Sequence, residues 1–185
     1  MGKLTSFNFV TLDGYFKGPN EDTSWHQHGN PEETEYAAEG AGSGSTLVFG
    51  RKTYEMMAGF WPTPMAAESM PEVADGMNKS RKIVISNSLE KADWINTEII
   101  KGDIFEQIKE IKNTQENNLT ILGSGSIVSQ FAEKGLIDEF QIMIDPTVIG
   151  EGTTLFKGIS NKLDLKLISS RVFKSGVILL SYKPA

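Results

Sequence analysis

Two segments of this sequence each predict a buried β-strand that ends in glycine and leads at once into a helix. The first consists of residues 46–49 followed by Gly50, and the second of residues 119–122 followed by Gly123. Strands that alternate with helices build the parallel sheets of α/β domains. We therefore expect both glycine junctions to lie at the carboxyl edge of one sheet, where ligands of open α/β sheets bind.

The remaining segments fit a single α/β domain over residues 1–185. Alternating or continuous apolar patterns predict further strands at residues 3–10, 81–86, 97–100 and 139–145. Apolar spacing and capping residues predict helices at residues 31–39, 51–58, 103–112 and 126–134. Residues 163–173 and 177–182 predict a closing antiparallel hairpin, and residues 60–78 predict a loop with one helical turn. The expected fold class is α/β with a central mixed, mostly parallel sheet.

The composition argues against several classes of protein. The chain has no cysteine, which excludes disulfides, thiolate-bound metals and cysteine nucleophiles. Its net charge of −6 argues against nucleic acid as a main partner. No apolar run reaches the roughly 18 residues of a membrane span, and the first strand is too polar and short for a signal peptide. We therefore expect a cytoplasmic protein that acts on a small molecule and has no membrane partner.

The junction after Gly50 carries groups that suit a phosphate. A helix N-terminus presents N–H groups and the positive end of the helix dipole. Arg51 and Lys52 add cations, and Thr53 adds a hydroxyl donor. Together these groups fit a phosphorylated dinucleotide. The alternative is a surface helix that begins with basic residues.

Two other stretches offer small polar residues at the ends of predicted strands. The second junction consists of Gly123, Ser124, Gly125 and Ser126. Its small residues would let a pyrophosphate approach the backbone, although it matches neither the Rossmann fingerprint nor the longer phosphate loop. The strand at residues 81–86 ends in Ser86, Asn87 and Ser88. A plain turn is the alternative for both stretches.

Three further features bear on catalysis or metal binding. His26 and His28 stand two positions apart, but no other ligand follows at a recognised spacing, so we expect no metal. The absence of a Gly-x-Ser-x-Gly motif argues against a hydrolase triad. Glu33 and Glu35 belong to an acidic helix that is either a solvated face or the source of a proton-donating or substrate-orienting group.

The order of the motifs along the chain is specific, although each motif alone is weak. The motifs are TLDGY at 11–15, GRKTYE at 50–55, RKIVIS at 81–86, LGSG at 122–125, Asp-Pro at 145–146 and Gly-Glu-Gly at 150–152. In this order they resemble the reductase domain of the riboflavin-pathway deaminase–reductase, within the dihydrofolate reductase superfamily. The resemblance covers nearly the whole chain.

The resemblance implies an eight-stranded mixed sheet flanked by helices, with NADPH across its carboxyl edge. Residues 50–53 would hold the adenosine-side phosphates, with Arg51 at the 2′-phosphate. Residues 86–88 would line the adenosine, and residues 123–126 would hold the pyrophosphate and approach the nicotinamide. The loop at residues 12–16 would close over the nicotinamide.

The resemblance also implies an NADPH-dependent oxidoreductase that transfers hydride to a small polar heterocycle or a C=N or C=O group. One candidate substrate is 5-amino-6-(5-phosphoribosylamino)uracil. The candidate catalytic residues are Asp13, Glu33 and Glu35. The candidate substrate-binding residues are Tyr15, Trp25, Phe60, Trp61 and Asp145.

Two departures from the folate enzymes bear on the substrate. Thr34 stands near the position of their pterin-binding carboxylate, and Ile142 approximately matches their strand threonine. Dihydrofolate reductase-like activity therefore remains an alternative that we expect to be weak. A non-catalytic NADPH-binding protein and an interaction domain that binds no nucleotide also remain open. The resemblance and the apolar segment at residues 177–180, taken as an edge strand, predict a homodimer.

Overall fold

The computed structural model describes residues 1–26 and 30–185. Within these ranges the strands are β1 (Leu4–Thr11), β2 (Tyr15–Lys17), β3 (Thr46–Gly50), β4 (Lys82–Ile85), β5 (Thr97–Ile100), β6 (Leu119–Ile121), β7 (Glu139–Asp145), β8 (Thr153–Thr154), β9 (Leu165–Val172) and β10 (Ile178–Pro184). The α-helices are α1 (Pro31–Gly42), α2 (Arg51–Phe60), α3 (Pro64–Ser69), α4 (Pro71–Lys79), α5 (Ile104–Thr114) and α6 (Gly125–Glu133). None of the described helices is both long enough and apolar enough to cross a membrane.

The central sheet has eight strands in the order β5-β4-β3-β6-β1-β7-β10-β9. The strands from β5 to β7 are mutually parallel, whereas β10 runs antiparallel to both β7 and β9. A small antiparallel sheet pairs β2 with β8. The predicted mixed, mostly parallel sheet with a closing hairpin is therefore confirmed.

Apolar residues cover both faces of the sheet, as expected where helices pack on each side. Every residue of β3 and β4 is buried. On one face the strands pack against Ile108 of α5 and Phe131 of α6. On the other face they pack against Tyr54 of α2 and Met77 of α4. The predicted strands 46–49 and 119–122 are thus central strands whose carboxyl ends are held by a packed core.

Helix α1 begins where the sequence predicts and ends later. The Asn30 side chain caps it by accepting a 3.1 Å hydrogen bond from the Glu32 N–H. The helix continues to Gly42, past the predicted end at residue 39, because Ala41 packs closely on Gly76 of α4. A Cβ at Gly76 would lie 2.7 Å from the backbone of Ala41. Tertiary packing therefore extends the helix through glycines that normally end one.

The prediction of a loop over residues 60–78 is wrong, because this segment forms α3 and α4. Pro64 and Pro71 each stand at a helix start, where the missing N–H has no partner to lose. The Thr63 hydroxyl caps α3 by accepting a hydrogen bond from the Ala66 N–H. Helix α4 buries Val73 and Met77 against the core. The prolines that predicted a loop are therefore the first residues of two helices.

A fully buried lysine, Lys82, caps the C-terminal end of α4. The Lys82 Nζ donates hydrogen bonds to the carbonyls of Met77, Asn78 and Ser80 at 2.8, 3.1 and 2.7 Å. It also lies 4.4 Å from the ring centroid of Trp94. Burial lowers the pKa of Lys82 to about 8. The three carbonyls satisfy its three donors, which explains how a lysine is accommodated inside the core.

The prediction that residues 177–180 form an edge strand is wrong. These residues belong largely to β10, which lies between β7 and β9, and the edge strand is β9. From Lys166 to Val172, every residue of β9 is exposed. The hairpin turn at residues 173–177 folds β10 back onto β7, so β9 is placed outermost.

Candidate cofactor and substrate site

The carboxyl ends of the parallel strands bring the predicted site residues to one edge of the sheet. In spatial order, β4 ends before Ser86, β3 ends at Gly50, β6 leads into Gly123 and β7 ends at Asp145. The strand β1, which ends at Thr11, lies between β6 and β7. The topology therefore places both glycine junctions and Asp145 along the same edge.

The two glycine junctions are in direct contact. The Gly50 N–H donates a 3.1 Å hydrogen bond to the Gly123 carbonyl. A Cβ at Gly50 would lie only 2.6 Å from the Ser124 Oγ, and one at Gly123 would lie 3.1 Å from the Thr53 Oγ1. Gly123 has φ of +119°, and its peptide bond to Ser124 is cis. Gly123 therefore favours glycine through its positive φ, and a Cβ at Gly50 would require the Ser124 hydroxyl to move.

The helices that follow the two junctions begin without a side-chain cap. Among the described residues, no side-chain cap hydrogen bond forms at Gly50 for α2 or at Ser124 for α6. By contrast, Asn30 and Asp103 cap α1 and α5 with their side chains. Two helix N-termini at one sheet edge thus present their first N–H groups without a side-chain acceptor, which suits an anionic ligand.

The basic residues at the start of α2 are on the surface. The Arg51 Nε lies 3.8 Å from a Glu55 carboxylate oxygen, and the Lys52 Nζ lies 3.6 Å from one of Glu21. Side chains in all these pairs are about half exposed or more, and such surface pairs are weak. Both cations can therefore exchange these partners for a bound phosphate at little cost. Thr53 is buried, with its hydroxyl near Gly123.

The segment after β4 forms a turn stabilised by its own side chains. The Ser86 Oγ accepts hydrogen bonds from the N–H groups of Ser88 and Leu89 at 3.2 and 3.0 Å. The Asn87 Oδ1 accepts from the Gly102 N–H at 3.3 Å. Asn87 and Ser88 are exposed. Ser86 and Asn87 therefore stabilise this turn, in addition to any contact they make with a ligand.

Asp13 joins two loops that are far apart in sequence. Its carboxylate accepts hydrogen bonds from the Thr11 hydroxyl at 2.6 Å and from the N–H groups of Gly150 and Ile149 at 2.8 and 3.2 Å. The Thr11 hydroxyl, followed by the two N–H groups, lowers the pKa of Asp13. A carboxylate held in its ionised form is a poor proton donor. The contacts therefore favour a structural role for this candidate catalytic residue.

The loop containing Tyr15 lies against the second junction. The Tyr15 hydroxyl donates to the Gly150 carbonyl at 3.3 Å. The Phe16 ring lies so near that a Cβ on Gly123 or Gly125 would come within 3.5 or 3.4 Å of it. β2 therefore reaches the edge at which the resemblance places the nicotinamide.

The acidic residues at the start of α1 bind the turn between β9 and β10. The Glu33 carboxylate accepts a hydrogen bond from the Ser175 hydroxyl. The Glu32 carboxylate accepts from the Lys174 N–H at 3.0 Å and pairs with the Lys174 Nζ at 3.1 Å. Glu35 is exposed. These contacts favour a docking role for Glu33, one of the two candidate catalytic glutamates.

Phe60 and Trp61 lie at the end of α2 and are half-buried. Their ring centroids are 5.0 Å apart in an edge-to-face arrangement. The Trp61 Nε1 donates to the Met57 Sδ at 3.1 Å, and the Trp61 carbonyl accepts from the Asn78 side chain at 3.0 Å. Trp61 is thus held in place by α2 and α4, and the Phe60 ring packs against it.

A buried pair formed by His26 and Asp145 was not predicted from the sequence. The His26 Nδ1 lies 2.8 Å from the Asp145 Oδ1, and the two residues are 9% and 3% exposed. The Phe9 ring lies over His26, with centroids 4.0 Å apart. Trp25 precedes this pair, and its Nε1 is buried. Asp145 was a substrate-binding candidate, but no spacing rule links it to a histidine 119 positions away.

The sequence pattern suggested a role for His26 only as a metal ligand together with His28. His28 lies outside the described residues. Over residues 1–26 and 30–185, no group of three or more histidine, aspartate or glutamate side chains could hold a metal ion. Within the described ranges, the structure pairs His26 with the carboxylate of Asp145.

The sheet order and the helices on both faces define a dihydrofolate-reductase-like fold. Over this fold, the model of the RibD C-terminal domain matches residues 2–179. The chain therefore belongs to the RibD C-terminal domain family.

Several known proteins are similar over nearly the full length. The uncharacterized protein YyaP of Bacillus subtilis is 28% identical over 176 residues, covering 94% of this chain and 90% of that protein. A putative riboflavin biosynthesis protein from Shewanella sp. PV-4 superposes with a TM-score of 0.77 at 23% identity, covering 99% of both chains. Dihydrofolate reductase from Enterococcus faecalis, solved with NADP(H), gives a TM-score of 0.68 at 17% identity, covering 99% of this chain and 96% of that one. The two structural similarities establish the fold.

Proposed function

We propose that this protein is an NADPH-dependent oxidoreductase that transfers hydride to a small polar heterocycle or to a C=N or C=O group. The observation that carries the proposal is the contact between Gly50 and Gly123. There the backbones of two strand–helix junctions meet through a hydrogen bond, and the side chains of Ser124 and Thr53 pack closely on the two glycines. Such a backbone cradle at the carboxyl edge of an α/β sheet suits the phosphates of a dinucleotide.

The residues present fit NADPH. Gly50, Arg51, Lys52 and Thr53 would hold the adenosine-side phosphates, with Arg51 at the 2′-phosphate. Ser86, Asn87 and Ser88 would line the adenosine. Gly123, Ser124, Gly125 and Ser126 would hold the pyrophosphate on the uncapped start of α6. When bound, NADPH supplies the hydride, and the protein supplies binding, orientation and exclusion of water.

Residues on two sides of the cradle are proposed to bind the substrate. Tyr15 and Trp25 offer aromatic surface and Asp145 a buried carboxylate near the ends of β1 and β7, and Phe60 and Trp61 offer aromatic surface at the end of α2. Aromatic walls with a few fixed polar groups are typical of sites for small ring compounds. The engaged carboxylates of Asp13 and Glu33 are better explained as structural, so we propose no side-chain proton donor among them.

The function is tested by titrating the purified protein with NADPH and NADH and following cofactor fluorescence and the thermal unfolding midpoint. We expect saturable binding with a preference for NADPH. Loss of absorbance at the reduced nicotinamide band is then followed with a set of heterocyclic and carbonyl acceptors. Absence of NADPH binding contradicts the proposal. Binding without oxidation by any acceptor favours a non-catalytic NADPH-binding protein instead.

We also propose that the protein is a homodimer. Ile144 of β7, Ile178 of β10 and Val172 of β9 stand directly opposite one another across three strands. Val172 is 71% exposed and Ile178 is 36% exposed. An apolar row that ends on an exposed edge strand is a surface that soluble proteins usually cover. A second copy of the chain, placed with its own row against this one, would cover both.

A further inference from the structure

A cavity of about 490 Å³ lies at the opposite edge of the sheet from the glycine junctions. β4 and β5 begin beside it and run parallel towards the cofactor edge. α2 reaches from one edge towards the other, since it starts after Gly50 and its ten residues span about 15 Å. The residues that line this distal cavity are Ala58, Pro62, Asn78, Asp93, Trp94 and Ile95. They include none of the residues proposed above for the cofactor or the substrate.

The size and lining of the distal cavity are those of a small-molecule site. Such sites typically enclose about 300–1,000 Å³ and are lined mainly by apolar and aromatic side chains, with a few polar groups that orient the ligand. Four of the six lining residues are apolar, and one of the four is a tryptophan. The cavity can therefore take a single small ring.

Trp94 forms the most rigid part of the lining. The residue is 5% exposed, and its Nε1 donates a 2.7 Å hydrogen bond to the Asn78 Oδ1. Its backbone N–H donates to the Tyr54 hydroxyl at 3.1 Å, and the Lys82 Nζ lies 4.4 Å from its ring centroid. These contacts fix the indole before any ligand arrives, so little conformational entropy is lost on binding.

The rim of the distal cavity is exposed and carries one ionisable side chain of the lining. Ile95 is 65% exposed, which leaves a large apolar side chain in water beside the opening. The side chains of Asp93 and its partner Lys91 are 76% and 82% exposed. Ion pairs between such exposed side chains are weak. Asp93 can therefore exchange Lys91 for the cationic group of a ligand, which the net charge of −6 also favours over an anion.

We propose that the distal cavity is a second ligand site, for a small aromatic amine whose ring packs against Trp94 and Ile95 and whose ammonium group pairs with Asp93. Ala58 and Pro62 form the wall at the end of α2. The ring loses apolar surface to the cavity, and the charge stays at the exposed rim, so neither group is buried without a partner. The site is independent of the cofactor edge.

Binding is tested on the full chain with three ring compounds of similar size and different charge. Isotope-labelled protein is titrated with phenethylamine, with the neutral 2-phenylethanol and with the anionic 3-phenylpropionate, and the Trp94 indole N–H signal is followed by NMR. We expect phenethylamine to shift this signal in a saturable manner. 2-Phenylethanol should bind about two- to fivefold more weakly, because the ion pair at the rim is exposed, and 3-phenylpropionate should bind most weakly.

Two substitutions separate the apolar and the charged part of the site. Ala58→Leu fills the cavity from α2 with a residue that favours helix, and we expect it to weaken all three compounds at least about tenfold. Its matched control is Ala67→Leu, at an exposed position of α3 outside the lining. Asp93→Asn should weaken phenethylamine about two- to fivefold and leave 2-phenylethanol unchanged. Its matched control is Asp164→Asn, because Asp164 is an exposed carboxylate paired with Lys162.

Several results would overturn the proposal. They are a Trp94 signal that no compound shifts, 3-phenylpropionate that binds as tightly as phenethylamine, and a folded Ala58→Leu variant that binds the amine normally. Asp93→Asn that weakens the amine and the alcohol equally would refute the ion pair. The amine titration is repeated with saturating NADPH, and we expect the amine to remain bound. Displacement of the amine by NADPH would place it at the cofactor edge instead.

Discussion

The backbone N–H of Gly50 donates a 3.1 Å hydrogen bond to the carbonyl of Gly123, and this bond joins the ends of two neighbouring strands. The Ser124 Oγ lies 2.6 Å from the position that a Cβ on Gly50 would occupy. Each junction therefore fixes the position of the other.

We expect Gly50→Ala to weaken NADPH binding and lower the unfolding temperature, because the new Cβ would lie 2.6 Å from the Ser124 Oγ. The double variant Gly50→Ala/Ser124→Gly should recover part of the loss by removing that oxygen. Gly59→Ala is the control in the same helix, since a Cβ there meets no described atom within 4 Å. The control should be more stable by about 0.5–1 kcal/mol. Equal effects of Gly50→Ala and Gly59→Ala would contradict the close contact.

Arg51→Ala should weaken NADPH roughly ten- to a hundredfold, because a charge-assisted hydrogen bond contributes about 1.5–3 kcal/mol. NADH lacks the 2′-phosphate and should be barely affected. Fluorescence titrations of both cofactors at fixed salt provide the measurement. If both cofactors weaken equally, Arg51 supports the pyrophosphate or the fold. If neither changes, the adenosine end binds elsewhere.

Dihydrofolate should be a poor substrate. The Thr34 hydroxyl donates to the Asn30 carbonyl at 3.0 Å, and the neighbouring Glu33 carboxylate is taken by Ser175. Ile142 has no hydrogen-bonding group, so a pterin would lose polar contacts that a folate enzyme provides. Steady-state assays should give kcat/KM below about 10⁴ M⁻¹s⁻¹. A dihydrofolate reductase assayed in parallel provides the reference, and comparable turnover by the two proteins would refute the prediction.

Lys82 should make stability depend on pH above neutrality. Burial lowers its pKa from 10.5 to about 8, so the unfolded chain binds more protons between these values. Its contribution to the free energy of unfolding therefore rises with pH in this window, by up to about 1.4 kcal/mol per pH unit. Urea denaturation of wild type and Lys82→Met at pH 7.5, 8.5 and 9.5 measures this, because other groups cancel in the difference. A difference that is constant or falls with pH would contradict the assignment.

The dimer should depend on the apolar row formed by Ile144, Ile178 and Val172. Light scattering should give twice the chain mass of 20.4 kDa for the wild type and the single mass for Val172→Asp or Ile178→Asp. Ile95 is 65% exposed elsewhere on the surface, so Ile95→Asp should leave the dimer intact. A monomeric wild type, or a dimer that survives both charged variants, would exclude this surface.

Patterns local in sequence predicted most of the fold. The strands that lead into Gly50 and Gly123 are short, mostly apolar runs, and the start of α1 has a cap and a proline in adjacent positions. The helices at residues 64–79 were missed because a proline that opens a helix has the same composition signal as one that ends it. β9 lies at the edge because the hairpin folds back so that β10 pairs with β7. This strand order is set by tertiary packing, which local sequence patterns do not show.

The sequence predicted the parts of the candidate site that are formed by the backbone. It did not predict the parts that are formed by contacts between side chains. The glycine junctions are visible because close backbone approach demands a residue type. The His26–Asp145 pair is not visible, because the two residues meet through the packing of Phe9 and the end of β7. Asp13 and Glu33 have partners, Gly150 and Ser175, in distant loops that no local pattern connects to them.

The position of β1 in the sheet has a consequence for synthesis on the ribosome. Its hydrogen-bonding partners are β6 and β7. Leu4 pairs with Leu119 and Thr5 pairs with Glu139, so both partners of β1 are synthesised much later than β1 itself. The first strand therefore leaves the exit tunnel long before either neighbour exists, and the sheet closes only when the last third of the chain has emerged. Pairing over such separations is slow. We expect nascent chains that stop before β7 to lack protease resistance and any capacity to retain NADPH.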